Sequence, residues 1–329
     1  MKKLTITSII LLGIFTMSFQ PKDKELIERT KFASVEKSKE LLKTKDSFTN
    51  RWSKFDINSR VGKPNSNSKE LFSYISDQVL QWTDAETELI DSILQNIQQS
   101  INNKKLKLYL PKTLYFIKTT LKEESGAIGY TRSNYIVLRE DLLEIDRTML
   151  EHIIAHELFH IQSRINPEFR EKMYELIGFR LMNEISYPDN LKDFKITNPD
   201  APLNDSYITL TKGKKSLDCM MVLFANKPYS EGKFIQYLNV GFLKLSDTKP
   251  KQIDLTQGDP IIYSFKDVEN FFSQVGKNTR YAIDPEEILA DNYAYLIQGK
   301  EDVPDKDILQ RIQDLLKKDY QEQQEMKIF

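Results

Sequence analysis

The 329-residue chain reads as an α+β protein, in which a helix and a small mixed sheet precede a long apolar helix and a later acidic one. Three observations predict that class. Leu89, Ile90, Ile93, Leu94, Ile97 and Ile101 recur at three- and four-residue steps, the spacing of one helix face. The period then changes: Leu114-Tyr115-Phe116-Ile117 and Tyr135-Ile136-Val137-Leu138 are short runs rich in aromatic and β-branched residues, which read as strands. A long helix follows from about Arg147 to Ile165, stopped by Asn166-Pro167 because proline disfavours helical geometry in the residue before it.

The elements follow in chain order. Lys2 and Lys3 precede an apolar run from Leu4 to about Phe19, and the charged stretch Pro21-Lys22-Asp23-Lys24 ends it. That is the pattern of a secretory signal peptide over residues 1–20, too short for a comfortable membrane span. It predicts an extracytoplasmic protein, periplasmic or secreted, with no further span. Ser18, with Thr16 two residues before it, is an acceptable cleavage site, and an uncleaved anchor is the alternative. No cysteine follows the run, which argues against a lipoprotein.

Residues 21–82 read as a charged, helical N-terminal segment. Leu26, Ile27, Phe32 and Val35 mark one amphipathic helix, Arg60 to Ser68 is a linker-like break, and a second helix runs from about Ser68 to Gln81. Residues 83–329 are expected to form the main domain. It opens with a helix from Thr83-Asp84, supported by Glu86 as a capping partner, to about Ile101. Gly126 and Gly129 supply flexible backbone around a short strand near Ile128–Tyr130. From Leu142 the chain leads into the long helix. Residues 180–280 are a turn-rich insertion with strands at Tyr207–Leu210, Met220–Phe224 and Phe242–Leu245. A helix over 285–299 ends at Gly299, and an amphipathic helix from about Asp305 to Tyr320 follows.

Composition narrows the function. Lys and Arg number 47 against 48 Asp and Glu, so no basic excess points to nucleic acid. Hydrophobic residues make up 40%, enough for a sizeable core. Cys219 is the only cysteine, so an exported chain of this sequence has no internal disulfide and relies on its core or on metal. In Cys219-Met220-Met221-Val222-Leu223-Phe224 it reads as a buried small hydrophobe.

The chemistry lies in Glu151-His152-Ile153-Ile154-Ala155-His156-Glu157-Leu158-Phe159-His160. His156 and His160 are four apart on a helix, so they share a face about 6 Å apart along the axis. Two imidazoles so placed can reach one zinc ion at about 2.0–2.1 Å. Glu157 follows the first ligand and is the candidate base that activates water, the H-E-x-x-H arrangement. Two of the chain's three histidines fall on this pattern. The third, His152, is roughly 12 Å along the axis from His160, too far for both to bind one ion, and no Glu follows it. It reads as a packing or supporting residue.

A catalytic zinc takes three protein ligands and keeps one open position. With no histidine left, the third must be a carboxylate, and the best source is Asp284-Pro285-Glu286-Glu287-Ile288-Leu289-Ala290-Asp291-Asn292-Tyr293. Here the sequence resembles the gluzincins, the thermolysin-like zinc peptidases, whose second motif is E-x-x-[S/A]-D. Glu287-Ile288-Leu289-Ala290-Asp291 fits it. The resemblance implies that Glu287 is the third ligand, that Asp291 orients His156, and that a zincin-like core begins near residue 83. Helix capping is the rival account of Glu287, since Asp284, Pro285 and Glu287 also form an ordinary helix start. Glu286 is the rival ligand.

The 127 positions between His160 and Glu287 exceed the gap in thermolysin itself. The downstream histidine that thermolysin-like enzymes use to stabilise the oxyanion has no counterpart, and Tyr281 or Tyr293 is the substitute candidate. The resemblance also implies that Tyr135–Leu138 is an edge strand that binds an extended peptide by strand addition, with Gly126 and Gly129 in tight turns. Two hypotheses follow. One is an extracytoplasmic zinc peptidase acting on a peptide or protein. The other is a non-catalytic envelope protein that keeps a zincin fold for binding or structure. Glu157 favours the first, because a structural zinc has no use for a base.

Overall fold

The structure, a computed structural model, describes residues 25–325 except 126, 142, 143 and 145. The signal-peptide expectation for residues 1–20, and the expectations on Gly126 and Leu142, therefore lie outside the described residues. The described residues are α+β, and among them no helix is long and apolar enough to cross a membrane.

The N-terminal segment is less helical than its charge pattern predicts. It runs α1 (Glu25–Arg29), β1 (Thr30–Phe32), α2 (Val35–Lys43), α3 (Lys54–Val61), α4 (Ser68–Asp77) and β2 (Val79–Leu80). Phe32 sits on a strand rather than on the expected helix, because β1 pairs in parallel with β3 (Leu114–Thr119). The helix expected to reach Gln81 stops at Asp77, since Val79 and Leu80 pair antiparallel with the far end of β3. Tertiary pairing overrides local propensity at both places. The segment thus supplies two strands to the same sheet as β3.

Helix α5 (Asp84–Lys104) begins where expected, and Thr83 and Glu86 form a reciprocal capping box. After β3 come β4 (Gly129–Arg132) and β5 (Tyr135–Arg139). The sheet order is β1-β3-β5-β4, with β2 also on β3. Strand β5 is therefore interior, and the edge is β4, antiparallel to it. This corrects the expectation that Tyr135–Leu138 is the edge strand. The physical reason is burial on both faces. Ile136 and Leu138 join the main core, while Tyr135 and Val137 join a second core against α2 and α4. An unbroken apolar run is the mark of such an inner strand.

Helix α6 (Arg147–Ile165) has the expected limits. Asn166 ends it and also caps α7 (Pro167–Leu176), accepting from the Phe169 amide. The segment that follows forms its own antiparallel sheet of β6 (Phe179–Leu181), β7 (Ser206–Lys212), β8 (Lys215–Ala225), β9 (Leu238–Lys244) and β10 (Ile262–Tyr263), with a short α8 (Asp189–Lys192) before β7. Cys219, on β8, is fully buried, and burial pushes its thiol up to about 12. Then come α9 (Phe271–Val275), α10 (Pro285–Gln298), closed by Gly299 in the left-handed region, and α11 (Lys306–Glu325).

Helices α6 and α10 pack on each other at the centre of the main core. Both are buried on nearly every side, so the charged groups they carry must find partners or bind something.

Candidate metal centre

The pairing of α6 with α10 brings His156, His160 and Glu287 together. Glu287 Oε2 lies 3.0 Å from His156 Nε2 and 3.5 Å from His160 Nε2. Ligand atoms held at about 2.0–2.1 Å from one tetrahedral ion stand roughly 3.3–3.4 Å apart. The observed distances bracket that value. His160 is fully buried, Glu287 is 2% exposed, and Glu157 is 4% exposed.

The outer nitrogens of both imidazoles are also held. Asp291 Oδ1 accepts from His156 Nδ1 at 2.9 Å, and Glu286 Oε1 faces His160 Nδ1 at 3.4 Å. Asp291 Oδ2 accepts from the Thr279 hydroxyl. Glu286 Oε2 accepts from Ser163 Oγ at 2.9 Å and from the Tyr174 hydroxyl at 2.8 Å. Glu286 thus reaches the far side of His160, whereas Glu287 faces the near side of both rings. Carboxylates behind ligating histidines fix ring orientation and raise basicity.

Helix capping does not account for Glu287. Asp284 caps α10 by accepting from the Glu286 amide at 2.9 Å, and Pro285 occupies the first turn. The Glu287 carboxylate points elsewhere: its Oε1 accepts from Asn198 Nδ2 at 2.6 Å while Oε2 meets the imidazoles.

The buried carboxylates create a strongly negative field. Burial alone would lower the His156 imidazole, but its bonds to Asp291 and Glu287 lift it to about 10. His160 is also raised, against burial, by Asp200 and Glu287. Burial would raise Glu287, yet the two imidazoles hold it well below the carboxylate range. The same cluster of buried carboxylates would also attract a divalent cation.

Among the described residues eight buried side-chain atoms have no hydrogen-bond partner, and two of them, Glu157 Oε2 and His160 Nε2, lie in this site. Orphaned polar groups in a buried site call for an occupant, and these two belong to the proposed base and a proposed ligand. The residues therefore fit a zinc ion. Two further groupings offer ligand atoms within 4.8 Å of one another, His152–His156–Asp291 and Glu157–His160–Asp200. The first is already satisfied: His152 Nε2 lies 3.2 Å from Asp291 Oδ1, and Nδ1 lies 3.3 Å from Gln298 Oε1. His152 also packs its ring 4.9 Å from Tyr295, the supporting position expected of it.

Tyr281 and Tyr293 part company. Tyr293 is fully buried, with its ring 5.8 Å from Phe159, in the position of a core aromatic. Tyr281 is about half exposed, and desolvation together with the negative charge of Glu287, Asp200, Glu157 and Asp291 raises its phenol well above its ordinary value.

Several contributors escape sequence reasoning. Gly129 lies in the straight β4 rather than a tight turn, and its φ is not positive. It is glycine because an added Cβ would stand 2.8 Å from Glu157 Oε1. Asn198 and Asp200, from the turn before β7, reach Glu287 and the Glu157–His160 pair. Nothing in their local sequence marks them. No family model, no curated protein and no solved structure matches the chain.

Proposed function

We propose that the chain is a zinc peptidase of the gluzincin type, acting outside the cytoplasm on peptide or protein substrates. The observation that carries this reading is the meeting of His156 Nε2, His160 Nε2 and Glu287 Oε2, with a Glu157 carboxylate oxygen within 4.8 Å of a His160 ring nitrogen and its Oε2 without a partner. His156, His160 and Glu287 would hold the ion. Asp291 and Glu286 would keep the two rings turned towards it.

Zinc, when bound, supplies Lewis acidity, acidifying water and polarising the scissile carbonyl. Glu157 takes the proton on its carboxylate and returns it to the leaving amine. Burial already raises that carboxyl to about 8, and the neighbouring Asp200 adds to the effect. The edge strand β4 begins at Gly129, against Glu157, and would align an extended peptide by strand addition. Tyr281 is the remaining candidate for oxyanion stabilisation. A zincin-like core, with the antiparallel sheet as an insertion between its motifs, is the architecture this reading implies.

The experiment is metal analysis with cleavage of an unfolded protein substrate. Protein purified without chelator carries one equivalent of zinc, His156→Ala loses it, and cleavage disappears in Glu157→Gln while zinc stays. Zinc-free wild type, or a Glu157→Gln variant that cleaves as fast as wild type, would sink the reading. The alternative, a non-catalytic zinc-binding envelope protein, predicts bound zinc and no cleavage in any variant.

A further inference from the structure

The turn Asn198-Pro199-Asp200 touches both halves of the proposed substrate site. Asn198 Nδ2 donates to Glu287 Oε1 at 2.6 Å. Asp200 Oδ1 accepts from the Thr131 amide at 2.6 Å and from the Thr131 hydroxyl at 2.7 Å. Thr131 lies on β4, the sheet edge, so this amide points away from β5 into the place where another strand would add. The Asp200 carboxylate also comes within 4.8 Å of the ligand atoms of Glu157 and His160. Each of those two residues carries a buried atom without a partner, Glu157 Oε2 and His160 Nε2.

The turn is fastened at both ends. Arg164, one helical turn beyond His160, reaches Pro199 O at 3.3 Å and Asp200 O at 3.2 Å, and the Thr131 hydroxyl at 2.9 Å. The same Nη2 lies 3.5 Å from Thr131 O, so Asp200 holds the outward N–H of Thr131 and the Arg164 guanidinium stands in front of its C=O. On the other side Thr197 donates its amide to Asp56 Oδ1 at 3.0 Å and its hydroxyl to Asp56 Oδ2 at 2.7 Å. Beyond Asp200, Pro202 and Leu203 help to wall a cavity of about 320 Å³ that also reaches Ser163 and Glu286.

We infer that Asn198–Asp200 is a self-blocking strap, which occupies the β4 edge and sets a carboxylate against the Glu157–His160 pair where an extended substrate must lie. The inference rests on the peptidase reading. An extended peptide needs the outward N–H and C=O of β4, and Thr131 offers them only once Asp200 and Arg164 let go. An edge strand with its outward groups taken is also protected from unwanted pairing, so the strap serves the resting protein. Substrate and strap compete for one place, and the resting form is latent in proportion to the time the strap is closed.

The test compares wild type with Asp200→Ala and Asp200→Asn in the full chain. Asp200→Asn keeps the side-chain shape but gives up the charge that strengthens the Thr131 contacts and faces Glu157. If the alanine variant does not fold, cleavage and Thr131 amide exchange should both rise in the asparagine variant by a smaller factor, and no rise in either overturns the strap. With zinc content unchanged, Asp200→Ala cleaves an unfolded protein about tenfold faster or more, because the open fraction rises. A second readout needs no metal: in the zinc-free proteins the Thr131 amide exchanges with solvent about tenfold faster in Asp200→Ala than in wild type. A folded, zinc-loaded variant that cleaves no faster than wild type overturns the strap while leaving the zinc site standing. Unchanged exchange at Thr131 overturns it as well. Absence of zinc from wild type is the separate result that removes the peptidase reading and the strap together.

Discussion

Asp291 Oδ1 sits 2.9 Å from His156 Nδ1 and 3.2 Å from His152 Nε2, so a single carboxylate oxygen on α10 orients two histidines one turn apart on α6. Its other oxygen is held by Thr279. His156 can then present Nε2 to Glu287 in one ring orientation. Asp291→Asn keeps the shape but gives up the charge. We expect zinc affinity to fall about 10–100-fold, the usual cost of losing a carboxylate behind a ligating histidine. Competition with a chelator of known affinity measures it, and an unchanged constant would show that Asp291 does not orient the ligand.

Gly129→Ala separates fold from chemistry. The new Cβ would stand 2.8 Å from Glu157 Oε1, the far end of a flexible side chain, and 3.3 Å from Val137 O. The carboxylate can swing aside, so stability changes little while the base is misplaced. Cleavage should fall about 10–100-fold at unchanged zinc content, since a shift near 1 Å in reacting groups costs rate on that scale. A variant with normal activity would mean that Glu157 has room to spare.

Glu123 gives a pH signature away from the histidines. It is fully buried, accepts from the Thr119 hydroxyl at 2.7 Å, and leaves its Oε2 without a partner. Burial raises its carboxyl from 4.5 to about 7. Below pH 4.5 folded and unfolded chains are both protonated there, and the contribution to stability is fully present. As pH rises towards 7 the unfolded chain has lost the proton that the folded chain keeps, so stability falls, levelling off above 7. Between pH 5 and 8 this loss amounts to roughly 2–3 kcal/mol. Denaturant titrations at both pH values should show wild type losing that much more unfolding free energy from pH 5 to 8 than Glu123→Gln does. Parallel pH profiles would rule it out.

Arg60 anchors the N-terminal segment to the turn that precedes the strap. Its guanidinium is 3% exposed and meets Asp56 Oδ1 at 2.6 Å, Glu124 Oε1 at 2.9 Å and Thr197 O at 2.9 Å. Removing one partner of a buried pair strands the other charges, so Arg60→Ala should cost about 3–5 kcal/mol. Urea unfolding would show this as a lower midpoint, and a change under 1 kcal/mol would contradict it.

The limits of α6 and the start of α10 were legible because their causes are local. Apolar spacing and Asn166-Pro167 delimit the first, and Asp284-Pro285 opens the second. The spacing of His156, Glu157 and His160 follows from helix geometry alone, which needs no knowledge of the rest of the chain. The edge strand was not legible in the same way. An apolar run shows that β5 is a strand, but its place between β3 and β4 depends on partners elsewhere in the chain.

Sequence by itself therefore determined the limits of α6, the starts of α5 and α10, the α+β class and the pair of imidazoles that share one face. Tertiary structure decided which of 48 acidic residues stands near them. Glu287 faces both Nε2 atoms, Glu286 turns to the back of His160, and Asp200 arrives from a turn with no signal of its own. The physical reason is that carboxylates are common and look alike along a chain. Only the packing of α10 on α6, and of the Asn198–Asp200 turn on β4, gives each one a different neighbour.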